Sequence, residues 1–287
     1  MGYIEFLADC AKANRSIVCL GLDPILEKLP PSVAGREERI VGFFSEIVDA
    51  ALCEQQVLAG ASIGAIKPNY AYFAQYGFDG LRALKALIDR YKGKVPIIFD
   101  GKRGDIGRSS EAYAKEVFDF WNADATTVSP YMGEDSVMPF IERCKQGRGV
   151  YILCKTSNSG SHDLQSMVLD NGKQVFAHVA SKMEKWHVDG VGAVFGATYI
   201  DELETIIWQF YDSHKKLPLL IPGVGAQGGS AADTAKILRT VWRETLPLHR
   251  INSSSGITYA YQKYGSTDYV GCALKEIGRL NQEIGAI

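Results

Sequence analysis

The stretch Asp100-Gly101-Lys102-Arg103-Gly104-Asp105-Ile106 holds the residues best spaced for chemistry. It follows the apolar run Val95-Pro96-Ile97-Ile98-Phe99, which reads as a buried strand. An Asp-x-Lys-x-x-Asp at the end of such a strand sets charges of both signs where a parallel sheet opens into a loop. Asp100 and Lys102 are two apart, so an extended backbone points both to one face. Asp105 lies three further on, past a glycine that lets the chain turn. A lysine between two carboxylates is held charged and placed to give up a proton. Lys67 closes another apolar run and adds a second cation. Singly, Lys67 reads as a solvated lysine, and Asp23 before Pro24 reads as a turn former. Together, Lys67, Asp100, Lys102 and Asp105 form an alternating acid–base set. Buried charges are costly unless compensated, and a purely structural role is filled more cheaply by apolar residues. The set is therefore read as chemistry.

The elements that must position these groups follow from the hydrophobic pattern. Short apolar runs read as strands at Ser16–Leu22, Ala61–Lys67, Val95–Asp100, Ala125–Ser129, Gly149–Lys155, Gly192–Gly196, Leu217–Pro222 and Arg250–Ser253. Amphipathic stretches between and after them read as helices, among them Phe78–Tyr91, Ser110–Trp121, Gln174–Trp186, Ile200–Tyr211, Ser230–Thr245 and Asp268–Ile284. Eight β-then-α units within 287 residues fit a closed (β/α)8 TIM barrel, spanning residues 1–287 as one α/β domain, better than an open doubly wound sheet. The polar, Gly/Ser-rich stretch Thr156–Lys173 reads as a long loop after the fifth strand. In such a barrel the active site lies at the C-terminal ends of the strands, and strands seven and eight form the usual phosphate corner. Polar groups crowd these ends: Asp23, Lys67 with Asn69, Lys155 with Thr156 and Ser157, Gly223 to Gly229, and Asn252 to Gly256.

Composition narrows the function class. Apolar residues make up 46% and charged residues 22%, with a formal net charge of −2. That argues against a general nucleic-acid or membrane-surface binder, though not against a local anion pocket. The six cysteines are scattered without a CxxC, as expected of reduced thiols in the cytoplasm. No secretory leader or bilayer-length apolar run is evident. None of the five histidines pairs with a nucleophile or another histidine in catalytic or metal-binding spacing. The run Gly223-Val224-Gly225-Ala226-Gln227-Gly228-Gly229 lacks the Lys-Ser/Thr of a P-loop, and taken alone it serves equally as a tight turn. No pyridoxal, thiamine or Schiff-base motif is present, so no cofactor and no metal are expected.

With these residues in hand, the chain resembles the orotidine 5′-phosphate decarboxylase family, in its longer, bacterial-type branch. The resemblance runs through nearly the whole chain. It rests on Phe99-Asp100-Gly101-Lys102-Arg103-Gly104-Asp105-Ile106-Gly107, Leu153-Cys154-Lys155-Thr156-Ser157-Asn158 and Pro222-Gly223-Val224-Gly225-Ala226-Gln227-Gly228-Gly229. It implies decarboxylation of orotidine 5′-monophosphate (OMP) to UMP, with Lys102 as proton donor to C6 and Asp100 beside the departing carboxylate. Lys67 would pair with Asp100 and contact the ribose. Asp23 and Asn69 would hold the ribose side, Thr156 and Ser157 the pyrimidine edge, and Gln227 would bridge base and phosphate. A homodimer is implied in which Asp105 and Ser109 reach the partner's site. One position departs from the family. Where the strand-eight loop usually offers phosphate an arginine, this chain has Ser255, next to Ser254. A guanidinium binds phosphate bidentately and a hydroxyl does not. Losing that contact costs roughly 1.5–3 kcal/mol, so either Lys263 or another cation compensates or binding is weakened. Competing readings are a metal-assisted sugar-phosphate lyase on the same barrel and a non-catalytic nucleotide-binding remnant.

Overall fold

The protein is described by a computed structural model covering residues 2–225 and 228–285. Eight strands, β1 (Val18–Leu22), β2 (Ala65–Pro68), β3 (Ile98–Arg103), β4 (Ala125–Val128), β5 (Gly149–Lys155), β6 (Val191–Phe195), β7 (Leu219–Ile221) and β8 (Arg250–Ser253), form one sheet. All neighbouring pairs run parallel in the order β2-β1-β8-β7-β6-β5-β4-β3. Parallel bridges Ile66–Ile97 and Asn69–Asp100 join β2 to β3 and close the ring. This is the expected TIM barrel.

Outward-facing strand residues pack under a ring of amphipathic helices. The helix Gly77–Tyr91, for example, buries Ala83, Leu84, Leu87, Ile88 and Tyr91, a one-sided stripe at helical spacing. Inward-facing residues form a second, smaller core of Cys19, Ala65, Ile98, Ala125, Tyr151, Val194 and Leu220. The N-terminal helix Tyr3–Asn14 seals the floor of the barrel with Tyr3 and Leu7, and the Tyr3 hydroxyl donates to that of Tyr151 at 2.9 Å. Arg250 is fully buried there, and its guanidinium donates to the carbonyls of Leu7, Gly64, Pro247 and His249. Backbone oxygens satisfy its donors without a second buried charge.

Most elements match the sequence expectation to within a few residues, and β5 and β8 coincide with it. Three departures have local causes. Strand β2 begins at Ala65 rather than Ala61 because side chains occupy the preceding carbonyls. Asn14 donates to Ile63, and Asn281 donates to Gly60 and Ser62. Strand β3 runs past Asp100 to Arg103, with a break in register between Phe99 and Arg103. The following helix starts at Gly107, and from Glu116 to Trp121 it widens into a π-turn, where Glu116 receives Arg103 at 2.7 and 3.1 Å and the Trp121 indole at 3.1 Å. Among the described residues no helix is long and apolar enough to cross a membrane.

Candidate active site

Strand periodicity carries the interior core directly into a site. On six of the strands, the side chain two residues beyond an inward-facing one reaches the C-terminal mouth. Ala65 leads to Lys67, Ile98 to Asp100, Ala125 to Thr127, Tyr151 to Leu153, Leu220 to Pro222 and Arg250 to Asn252. All six mouth residues line a single cavity of about 490 Å³, a size suited to a small ligand.

The cavity holds a chain of charges. Lys67 donates to Asp100 Oδ2 at 2.7 Å, and Lys102 donates to Oδ1 at 2.6 Å. Lys67 and Asp100 are buried, while the Lys102 side chain is half exposed. Burial alone would push the Asp100 carboxyl up, but Lys67 and then Lys102 outweigh it and hold the group well below the usual carboxylate range. Burial alone would also pull Lys67 down, yet Asp100 and then Asp23 keep it above the ordinary lysine value. Both groups are thus fixed in their charged forms at neutral pH.

Two features of this motif differ from the pattern read along the chain. Within one chain the cavity places a carboxylate between two lysines, because Asp105 does not line it. Asp105 is half-buried and accepts from the Ile106 N–H at 2.8 Å, and Ser109 is exposed outside the cavity. Nor does plain extended backbone bring Lys102 to Asp100. Lys102 has φ 44°, in the left-handed region, where the register of β3 breaks. Such a conformation costs a non-glycine residue about 1–3 kcal/mol and persists only when its surroundings impose it. Here the Lys102 N–H donates to Thr127 Oγ1 at 2.9 Å. On the far side, the Arg103 guanidinium lies 4.4 Å from the Tyr70 ring and is bound to Glu116, so the next residue is latched outward.

The other expected site residues gather around this centre. Asp23, Asn69, Thr156, Ser157, Ser254 and Ser255 all line the cavity. Asp23 Oδ1 is buried without a hydrogen-bond partner, as is Asn252 Oδ1. Unsatisfied acceptors at a cavity wall are suited to receiving ligand hydroxyls or amides. Asn69 caps the short helix Tyr70–Ala74 by accepting from the Ala71 N–H. Gln165 holds Thr156 by accepting from its N–H at 2.8 Å and donating to its hydroxyl at 2.9 Å. Gln227 lies outside the described residues.

Thr127 was missed from sequence. Its hydroxyl donates to Asp100 Oδ1 at 2.9 Å while accepting from Lys102, so one side chain positions both members of the pair. Its place two residues after the inward-facing Ala125 was the available signal. Gly196 was also missed: a Cβ there would lie 2.7 Å from Ser157 Cα and 2.8 Å from its backbone nitrogen. Only glycine allows the loop after β5 to come this close to β6. Among the described residues, no group of three His, Cys, Asp or Glu side chains is placed to hold a metal ion.

The family model for orotidine 5′-phosphate decarboxylase / HUMPS matches residues 16–261. The chain belongs to this family. The orotidine 5′-phosphate decarboxylase of Janthinobacterium sp. (strain Marseille) is 41% identical over 263 residues, which is 91% of this chain and 90% of that protein. The decarboxylase of Polaromonas naphthalenivorans (strain CJ2) is 39% identical over 292 residues, covering 100% of this chain and 96% of the relative. Among solved structures, Leishmania donovani OMP decarboxylase superposes with a TM-score of 0.75 at 29% identity, covering 99% of each chain. The Leishmania donovani enzyme thus shares the barrel whose mouth is described above.

Proposed function

We propose that this chain decarboxylates orotidine 5′-monophosphate to UMP, with its own side chains supplying the electrostatics. The observation that carries this reading is Asp100, held ionised between Lys67 and Lys102 at the floor of the cavity. Loss of CO₂ from C6 leaves a carbanion in the plane of the ring, with no ring carbonyl placed to delocalise it. A substrate carboxylate set against Asp100 at about 4 Å is repelled by about 4 kcal/mol at an effective dielectric near 20. The repulsion falls as CO₂ departs, while the attraction of the Lys102 ammonium for the charge growing at C6 rises. The C6–carboxylate bond breaks, its electron pair stays on C6, and Lys102 delivers the proton there. Interactions stronger in the transition state than in the ground state are the ones that accelerate.

The remaining roles follow the cavity wall. Asp23, with its unpartnered oxygen, and Asn69 take the ribose hydroxyls. Thr156 and Ser157 read the pyrimidine edge, Gln227 bridges base and phosphate, and Ser254 and Ser255 face the phosphate. Asp105 and Ser109 serve the partner's site in a homodimer. Their position outside their own cavity supports this, as do the exposed apolar side chains of Ile106, Tyr131 and Met132 on the neighbouring strand-end loops. The test is a spectrophotometric assay for loss of OMP, with and without EDTA. Turnover unaffected by EDTA and abolished in Lys102→Ala supports the reading, and substantial turnover by that variant refutes it. Mixing inactive Lys102→Ala and Asp105→Ala chains should restore about a quarter of wild-type activity, since each hybrid dimer keeps one intact site. No recovery counts against sharing.

A further inference from the structure

The cavity carries its positive charge at one end. Lys67 and Lys102 sit on Asp100, whereas Pro222, Gly223, Val224 and the segment 252–256 line the opposite end without an ionisable side chain. A phosphate there would meet only backbone and uncharged polar groups of this cavity. A second cavity of about 510 Å³ adjoins this end and shares Val224, Ser253, Ser255 and Gly256 with the first. Ser255 and Gly256 thus border both a substrate-sized pocket and a space lined by Lys28, Lys263 and Arg279.

These three cations are not equivalent. Arg279 is engaged by Glu276 at 2.8 Å and also by Glu283. Lys263 lies 3.2 Å from the same buried Glu276, which it shares with Arg279 and the Tyr264 hydroxyl. Lys28 is half-buried, and its ammonium lies 5.3 Å from the centre of the Tyr259 ring. Among the described residues it has no carboxylate partner. The segment bearing Lys28 is also tied to the turn bearing Ser255. The Tyr259 hydroxyl donates to the Asp23 carbonyl at 2.8 Å and accepts from the Ile25 N–H at 2.9 Å, and the Tyr261 hydroxyl donates to the Lys28 carbonyl. The backbone that presents the lysine is therefore held in place, and a lysine on a four-carbon stem needs only side-chain rotation to carry its charge toward an anion.

We propose that Lys28, seconded by Lys263, supplies the charge that recognises the 5′-phosphate in this chain, in place of a cation at position 255. This deepens the decarboxylase reading and rests on it. It makes Lys28 a specificity-determining residue for phosphorylated over unphosphorylated substrate. Its test compares kcat/KM for OMP and for orotidine in wild type, Lys28→Ala, Lys263→Ala and the Lys28→Ala/Ser255→Arg pair. Lys28→Ala should lower the OMP-to-orotidine ratio about 10- to 200-fold, the span expected for one charged contact, and Lys263→Ala should lower it less. Ser255→Arg should restore the ratio in the Lys28→Ala background. Equal losses on both substrates, or an unchanged ratio, would overturn the proposal. Wild-type protein that fails to turn over OMP would sink the decarboxylase reading itself, and this proposal with it.

Discussion

Thr127→Val removes the hydroxyl that links the two central charges while nearly keeping side-chain volume. Two hydrogen bonds of 2.9 Å disappear. The bond to the Asp100 carboxylate is worth about 1.5–3 kcal/mol, and the Lys102 N–H, partly reachable by water, adds about 1 kcal/mol when left unpaired. A 287-residue chain unfolds with an entropy of roughly 0.6 kcal/mol/K. The combined loss of about 2.5–4 kcal/mol therefore lowers Tm by roughly 4–7 °C. A kinetic effect accompanies it. The left-handed backbone at Lys102 loses the bond that imposes it and relaxes, carrying the ammonium out of line with the reacting carbon. A displacement of about 1 Å costs about 100-fold in rate. The decrease should appear in kcat, with KM moving less, because the groups assigned to ribose and base lie on other strands. Thr127→Ser keeps the hydroxyl and should recover most of the loss. Scanning calorimetry and steady-state kinetics read both effects. A valine variant with wild-type kcat and wild-type Tm would refute the claim that Thr127 holds Lys102.

Lys67→Met should lower stability at neutral pH by about 1.5–3 kcal/mol, since it removes one charged hydrogen bond from buried Asp100, which Lys102 still pairs. Asp100, depressed in the folded protein, contributes stability above the ordinary carboxylate pKa of about 3.9, and that contribution is lost as pH falls through its folded value. Removing Lys67 raises that folded value and narrows the gap to the unfolded one, so urea unfolding across the acid range should show a smaller loss that is complete at a higher pH; an acid limb of unchanged size would contradict the assignment. Lys67 itself, raised by Asp100 and Asp23, contributes stability below about pH 10.4 that fades only as pH climbs through its folded value. The variant should therefore lack the wild type's alkaline decline from this group. Gly196→Ala forces a Cβ against the Ser157 backbone, which should raise KM for OMP and weaken UMP binding, at a stability cost of about 1–3 kcal/mol; calorimetric UMP affinity equal to wild type would show that Ser157 does not depend on that contact.

The residues legible from sequence were those that broke a pattern. Lys67 and Asp100 end apolar runs where a charge is expensive, so their presence at a buried strand end announced a compensated pair. The glycine and serine clusters after β7 and β8 were legible only through their place at the strand ends, where such a barrel binds phosphate. Thr127 was not, because a threonine in Ala125-Thr126-Thr127-Val128 looks like any β-branched strand residue. Its function arises from which face of the strand it occupies. The left-handed turn at Lys102 was equally hidden, since nothing in Asp-Gly-Lys-Arg-Gly says which residue will bear positive φ. The start of β2 was misplaced because the competitors for its carbonyls, Asn14 and Asn281, are far away in the chain. Asp105 and Ser109 read as site residues, yet one subunit does not bring them to its own cavity.

The floor of the barrel imposes an order on assembly. Tyr3 and Leu7 precede their partners by far: the hydroxyl that meets Tyr3 comes 148 residues later and the guanidinium that meets the Leu7 carbonyl 243 residues later. Contacts this distant in sequence form late, because their loop-closure entropy is not repaid until the intervening strands are in register. The helix Tyr3–Asn14 therefore lacks its full set of floor contacts until β8 is in place. The apolar side chains of Tyr3 and Leu7 are thus among the last to be fully covered, and a chain halted before β8 would keep them open to non-native contacts.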